Sequence, residues 1–429
     1  VGDAAVVSRV QERPTGLFPT EDVANPLLGG NVTITIQSDY AAAWKRFFES
    51  RTTADVTTLD DSRIAVTLRT TTIHPTLSSS ISATGRSSLD VGGIERLHAD
   101  SYDSSAGTYE DQDPDDGATI QTHDEFRLTA GGGGNTDSIT VRGDLSAESY
   151  NIPPGQEDKL NVTGERRTET AFDDLAPVEG GITRRIADVT ALDLASEGAS
   201  ESSIDLSGTA TKTIDEDTYV EGDVAVSESA VLTVADGATL HAAGGMDIDG
   251  DGRVNFDAAG GDVQTLIEGS VDLSDDAAIR ASGDGRADLY VDDTLDLQDA
   301  ASVTTAVDTR FEIHTTDEIE LDDGVSITAD GDVASNLWLY SSGDEVEIEG
   351  DDDRIRFTGV FYAPQSNAEL EDRMTIKGSF TFRNFEFDDG DITVHYDESL
   401  RTVRPFGDDS VPVVSHLHVS THGVVVSEG

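Results

Sequence analysis

The sequence predicts a mostly β protein whose C-terminal half is a right-handed parallel β-helix, a three-sided solenoid of about eight coils. Three observations carry this reading. An apolar-x-apolar triplet flanked by acids returns at near-constant spacing, each interval holds two further short apolar pairs, and helical periodicity is scarce. The triplets are Val224-x-Val226, Met246-x-Ile248, Val271-x-Leu273, Leu295-x-Leu297, Ile319-x-Leu321, Val346-x-Ile348, Ala368-x-Leu370 and Ile392-x-Val394. Their spacings are 22, 25, 24, 24, 27, 22 and 24 residues. A repeat of this length is the signature of a solenoid, whereas propeller blades need roughly 40 residues for four strands. A β-sandwich with evenly spaced strands is the competing fold.

Within each interval a turn such as Ser274-Asp275-Asp276 follows the triplet, then a second apolar position such as Ile279 or Val303. A third pair closes the coil, as in Leu289-x-Val291 and Phe311-x-Ile313. Strand alternation then sends Val, Ile, Leu and Phe inward and Asp, Glu, Thr and Ser outward. Phe380, Phe382, Phe385 and Phe387 near the last coil suit an end plug or a dimer contact, because open strand edges need cover.

Residues 1–205 read as an antiparallel β-rich N-terminal domain with one or two short helices, 206–405 as the β-helix, and 406–429 as a β tail that could pair with the N-terminal domain. The clearest helix lies near 39–51, with Ser38 as N-cap and Tyr40, Trp44, Phe47 and Phe48 on one face, a stripe expected to face a core. The alternating segments Val32-x-Ile34-x-Ile36 and Ile64-x-Val66-x-Leu68 flank it as strands. A second short helix is expected within 182–194.

Charge places this fold in a particular solvent. The chain carries 85 Asp+Glu against 28 Lys+Arg, a formal net charge of −57. With 36% hydrophobic residues it still has material for a core, unlike a disordered acidic tail. Only four of the cations are lysine: Lys45, Lys159, Lys212 and Lys377. Many carboxylates with few lysines is the balance of proteins from extremely halophilic archaea, where molar salt shortens the Debye length to about 3 Å. Acidity on this scale argues against nucleic acid as a partner, because phosphate contacts need Lys and Arg in excess. Cysteine is absent, and with it disulfides and thiolate chemistry. No apolar run reaches membrane-span length.

Candidate sites are few. Asp247, Asp249 and Asp251, with Gly250 and Gly252, form the opening of a calcium loop, and Asp257 could substitute for the bidentate Glu that such loops carry at their twelfth position. Calcium is accordingly the one cofactor the sequence admits, against the alternative of an acidic solenoid corner. Asn31 and Asn161 open N-x-Thr glycosylation sequons. His416, His418 and His422 alternate as strand histidines or as metal ligands. Arg354, Arg356, Arg373 and Lys377 form a basic cluster that could meet an anionic glycan or offset nearby acids. No catalytic residue is assigned: acids abound, so paired carboxylates carry no information, and no nucleophile motif stands out.

Two segments also carry a resemblance. Residues 31–68, NVTITIQSDYAAAWKRFFESRTTADVTTLDDSRIAVTL, resemble a segment of haloarchaeal surface proteins that begin with a type IV pilin-like leader and membrane helix. GVFYAPQSNAELEDRMTIKGSF, ITVHYDESL and SHLHVSTHGVVV resemble the polymer-forming, bactofilin-like β-helix domain of pilus-associated surface proteins. The resemblance implies an extracellular, cell-surface location and a structural role as spacer, adhesin or self-assembling module. Expected partners are other copies of the chain, other surface or pilus proteins, and glycans. A membrane is expected only through an N-terminal anchor that this sequence, opening at Val1, lacks. The rival readings are a β-helix protein that binds or degrades polysaccharide, and a halovirus tail-spike.

Overall fold

The computed structural model describes residues 77–128, 138–168, 178–350 and 354–406, apart from 86 and 93. Nearer the ends it describes 6–10, 15–18, 27–28, 32–38, 40–51, 55–60, 62–68, 71–72, 412–414, 419–421 and 424–428. The chain divides into two compact units, Val1–Ile73 with Asp409–Gly429, and His74–Asp408.

In the smaller unit, Val32–Gln37 pairs antiparallel with Arg63–Leu68, which also pairs with Asp55–Asp60. Helix α1 (Ala41–Arg51) starts where the Ser38 hydroxyl accepts the Tyr40 N–H at 3.1 Å. It buries Ala41 on Ile64 and Val66, with Phe48 packed alongside. Three strands of the C-terminal tail pair antiparallel with N-terminal ones: Pro412–Val414 with Leu27–Leu28 and Thr71–Thr72, Val419–Thr421 with Thr15–Phe18, and Val424–Glu428 with Val6–Val10. The aromatic stripe of α1 departs from expectation. Tyr40, Trp44 and Phe47 are 75%, 42% and 48% exposed, and only Phe48 reaches the small core. A three-stranded sheet is too narrow to cover a whole aromatic face.

The larger unit is a three-sided parallel β-helix. On its first face the triplets stack in register, so that Val224, Met246, Val271, Leu295, Ile319, Val346 and Ala368 lie one above another. The second face stacks Val231–Ala235, Arg253–Asp257, Ala278–Ser282, Ser302–Thr305 and Ser326–Ala329. The third stacks Thr239–Ala242, Val263–Ile267, Arg286–Val291, Arg310–Thr315 and Leu337–Ser341. Inward side chains fill the bore; Val254, Phe256, Leu289 and Ile313 have no exposed surface. Corners between the first two faces demand left-handed backbone, and Glu228, Gly250, Asp275, Asp299 and Gly324 all supply it.

The eighth triplet leaves this column. Ile392 and Val394 pair with Leu97 and Ala99 on Arg96–Tyr102, which in turn pairs with Ser138–Val141. Phe380 likewise pairs with Ile81, and Ile81 with Ile120. Residues 77–168 therefore extend the same stack beyond its C-terminal coils, in an order the chain itself does not follow. The division expected at residue 205 is replaced by this splice, because β-rich segments on both sides of it share one 28-stranded sheet. Phe380, Phe382, Phe385 and Phe387 are core at the splice and not an open plug or dimer contact, with Phe361 and Phe382 ring centroids 4.7 Å apart.

From residue 178 the chain returns along the third face as helix α2 (Glu179–Thr190), followed by the single turn α3 (Leu194–Glu197). Val178 N–H bonds the Gln365 side chain, and Val189 packs on Leu266 and Tyr290, so α2 runs back along several rungs. One outward column of the third face, under α2, is accordingly apolar and aromatic, not the expected Asp, Glu, Thr and Ser. Leu266, Tyr290, His314, Tyr340 and Tyr362 form its outward column. His314 stacks on Tyr340 at 4.7 Å, and Phe406 covers Tyr340 at 4.5 Å. Gly181 lets Phe406 approach, since a Cβ there would lie 2.8 Å from its ring.

One buried carboxylate fastens the helix. Glu312 has no exposed surface and receives Arg185 from α2 at 2.9 Å, Arg286 at 2.7 Å and Arg310 at 2.6 Å. Burial opposes its charge, but the His314 hydrogen bond and the neighbouring guanidiniums hold its carboxyl well below the usual range. Glu312→Gln would leave three arginines facing a neutral amide. It is expected to destabilise the unit by about 3–5 kcal/mol. Arg63→Ala, which removes an exposed pair with Asp60, is expected to cost less than about 1 kcal/mol. Urea unfolding of the two variants in high salt checks the contrast.

Candidate functional site

The middle residue of each first-face triplet points outward, and on six successive rungs it is an acid. Asp247, Asp272, Asp296, Glu320, Glu347 and Glu369 lie in register, each directly over the next. Rungs stand about 4.8 Å apart. Glu318 and Glu345 sit before the ladder on their rungs, Asp322 and Glu349 after it. The residue type was visible in the triplets; that these acids form a single row follows only from the register.

Stacking at this spacing shifts the acids' protonation. Asp296 is raised to about 6, first by burial and then by Glu320, Asp272 and Asp322. Its Oδ2 accepts from Gln298 at 2.7 Å, while its Oδ1 is shut off from solvent without a protein partner. Burial followed by neighbouring carboxylates also raises Asp247, Glu318, Asp322 and Glu347. Each adjacent pair of full charges repels by roughly 1 kcal/mol in water. A Debye length of about 10 Å at 0.1 M salt spans two rungs, whereas about 3 Å at 1 M is shorter than one. High salt therefore relieves the row almost rung by rung.

The calcium-loop acids are spread over this architecture. Asp247 belongs to the ladder, Asp249 accepts the Glu228 N–H at the corner, and Gly250 supplies the left-handed turn. Asp251 is exposed, and Asp257 lies on the second face, where it accepts the Ala259 N–H at 3.1 Å. Among the described residues, acid or imidazole groups come within 4.8 Å of one another in threes at Asp288/Glu312/His314 and Glu318/Glu345/Glu347, and neither set includes Asp247, Asp249, Asp251 or Asp257. The first set is the clasp of α2, where three guanidiniums already occupy the positive positions. Asn161 is exposed on Leu160–Val162. Asn31 and the histidines at 416, 418 and 422 lie outside the described residues.

A second polar cluster secures the splice. Asp100 is almost fully buried and bonds His395 at 2.6 Å, His98 at 3.1 Å and the Tyr109 hydroxyl at 3.0 Å. Burial opposes its charge, yet these hydrogen bonds lower it to about 2. Tyr109 stacks on His395 at 3.7 Å, and Lys377 bonds Glu110 and Asp332. The basic cluster is thus partly spent on internal partners; Arg354 likewise bonds Thr375 at 3.0 Å.

The raised carboxyls give a pH dependence of definite sign. A folded value above the usual one near 4 means that ionisation costs stability above pH ~6, and the cost fades as pH falls through ~6 towards ~4. Below that range Asp100 and Glu312, lowered by folding, begin to lose their contributions. In low, constant salt the melting temperature is expected to be higher near pH ~5 than near ~7.5. Asp296→Asn is expected to raise it near pH ~7.5 and leave it nearly unchanged near ~5. Equal effects at both pH values would contradict the ladder's electrostatics.

Similarity to known proteins adds the following. No curated protein matches the chain. Its fold aligns with the crystal structure of an ice binding protein from an Antarctic bacterium, Flavobacteriaceae, at 10% identity over 75% of this chain and 98% of that one, with a TM-score of 0.19. Among the described residues no helix is long and apolar enough to cross a membrane. A family model described as a domain of unknown function matches residues 161–403, a span that holds α2, its clasp and the whole carboxylate ladder. More than half of the chain lies within that match, and the chain belongs to this family, domain of unknown function DUF7305.

Proposed function

We propose that the protein is a non-enzymatic structural component of the surface of a halophilic archaeon, a rigid acidic wall that acts as spacer or self-assembling module. The observation that carries this reading is the uniformity of the first face. The same outward chemistry repeats on six successive rungs, so no one rung is set apart as a reaction centre, and any action of this face is spread along its length. The strong net charge of −57 supports a molar-salt solvent, where the row is screened. Partners in this reading are other copies of the chain and neighbouring surface or pilus proteins, met through the solenoid wall or its terminal rungs. The extracellular location rests on the sequence resemblance.

Electron microscopy and light scattering on the purified chain test this reading. In multimolar KCl, ordered oligomers or filaments are expected, and stepwise dilution of the salt should dissociate them as the ladders of neighbouring copies repel. A monomer at every salt concentration would overturn the self-assembling role.

A further inference from the structure

One end of the stack is a rung whose strands have a single neighbour each. Among the described residues, Leu160–Val162 pairs only with Ser138–Val141, and Arg166–Thr168 only with Gly143–Ala147. Arg166, Arg167 and Thr168 are all exposed. The other edge of both strands has no strand partner among the described residues, and such an edge is a template for pairing with another chain. Asn161 stands in the middle of the first strand. Its neighbours Leu160 and Val162 lie over Ile139 and Val141, which fill the bore, so Asn161 points outward over Thr140.

Asn161, Val162 and Thr163 form the acceptor pattern for an N-linked saccharide, and the fold presents it in accessible form. Asn161 and Thr163 are both exposed, two residues apart at the end of a strand. The amides of Asn151, Asn336, Asn367 and Asn384 each donate to a protein acceptor. The Asn161 amide makes no side-chain hydrogen bond among the described residues. We propose that Asn161 carries an N-linked saccharide, and that this saccharide closes the terminal rung to a second copy. In the transfer, the Asn161 Nδ2 bonds the anomeric carbon of a saccharide held on a lipid phosphate. The bond from that carbon to the phosphate oxygen breaks, the oxygen keeps the electron pair, and the amide gives up one proton. A rung added at this end would set its outward residue about 4.8 Å beyond Asn161, inside the volume the saccharide sweeps. The site rests on the surface location proposed above, and it leaves the wall, not this end, as the route of assembly.

Tandem mass spectrometry of the full chain, purified from the cells that make it and from strains carrying variants, tests the site. A saccharide mass is expected on the peptide that holds Asn161. It should vanish in Asn161→Gln and in Thr163→Val, and persist in Thr163→Ser, which keeps the hydroxyl. All three substitutions fall on exposed side chains, so the fold is expected to stand in each. Surface protein with an unmodified Asn161 would overturn the site and leave the surface reading intact. Recovery of the chain from the cytosol alone would overturn both. Electron microscopy in multimolar salt tests the closure: Asn161→Gln copies are expected to join end to end into longer assemblies than the natural protein. Equal lengths would overturn the closure. Natural copies that stay monomeric while Asn161→Gln copies join end to end would support it, and would sink self-assembly of the protein as made.

Discussion

Register governs this molecule. In a parallel solenoid each side chain lies over its counterpart one coil away, so whatever a position carries is multiplied along a column. Inside, the multiplication is favourable: Val224, Met246, Val271 and Leu295 build a continuous apolar column that no single coil could bury alone. Outside, the same rule sets Asp272 over Asp296 over Glu320 and turns ordinary surface acids into a row of mutual repulsion. One constraint thus produces both the cohesion of the fold and a row of like charges that added salt would screen.

The third face escapes the acidic row because the chain must return across the stack. Coils 77–168 extend the C-terminal end, and the coils that begin near residue 199 lie at the other, so the intervening segment travels back as α2. Its passage removes water from the outer column, which explains aromatic and apolar residues where a solvated wall would carry acids. Glu312 then has to satisfy cations from both layers, Arg185 from the helix and Arg286 and Arg310 from the rungs. At the splice the balance is different. Buried phenylalanines supply the cohesion, and Asp100 with its two histidines fixes the pairing of segments nearly 300 residues apart in sequence.

Much of this was legible in the sequence, and the limits have physical causes. The triplets declared the period, the three-sided coil and the inward residues, because alternation and spacing are local properties. From sequence the early coils read as a separate antiparallel domain, since the long excursion of residues 103–117 breaks the period there. The splice was not legible, because parallel pairing of Ile392 with Leu97 leaves no local signal. The clasp had a trace, polar Asp288 and Glu312 in otherwise apolar third-face strands, but a helix partner was needed to interpret it. The calcium-loop pattern at Asp247 to Gly252 arises where a ladder acid meets a left-handed corner.

The claim at the centre of this account is that stacking in register, not acidity as such, makes the fold depend on salt. The measurement is the slope of unfolding free energy against KCl concentration for two variants that remove equal charge. One neutralises Asp247, Asp272, Asp296, Glu320 and Glu347 by amide substitution. The other neutralises the scattered exposed acids Glu148, Asp158, Asp188, Glu197 and Asp308 in the same way. The account requires a much flatter salt dependence in the ladder variant than in the scattered one. Equal slopes would contradict it, and would leave net charge alone as the cause.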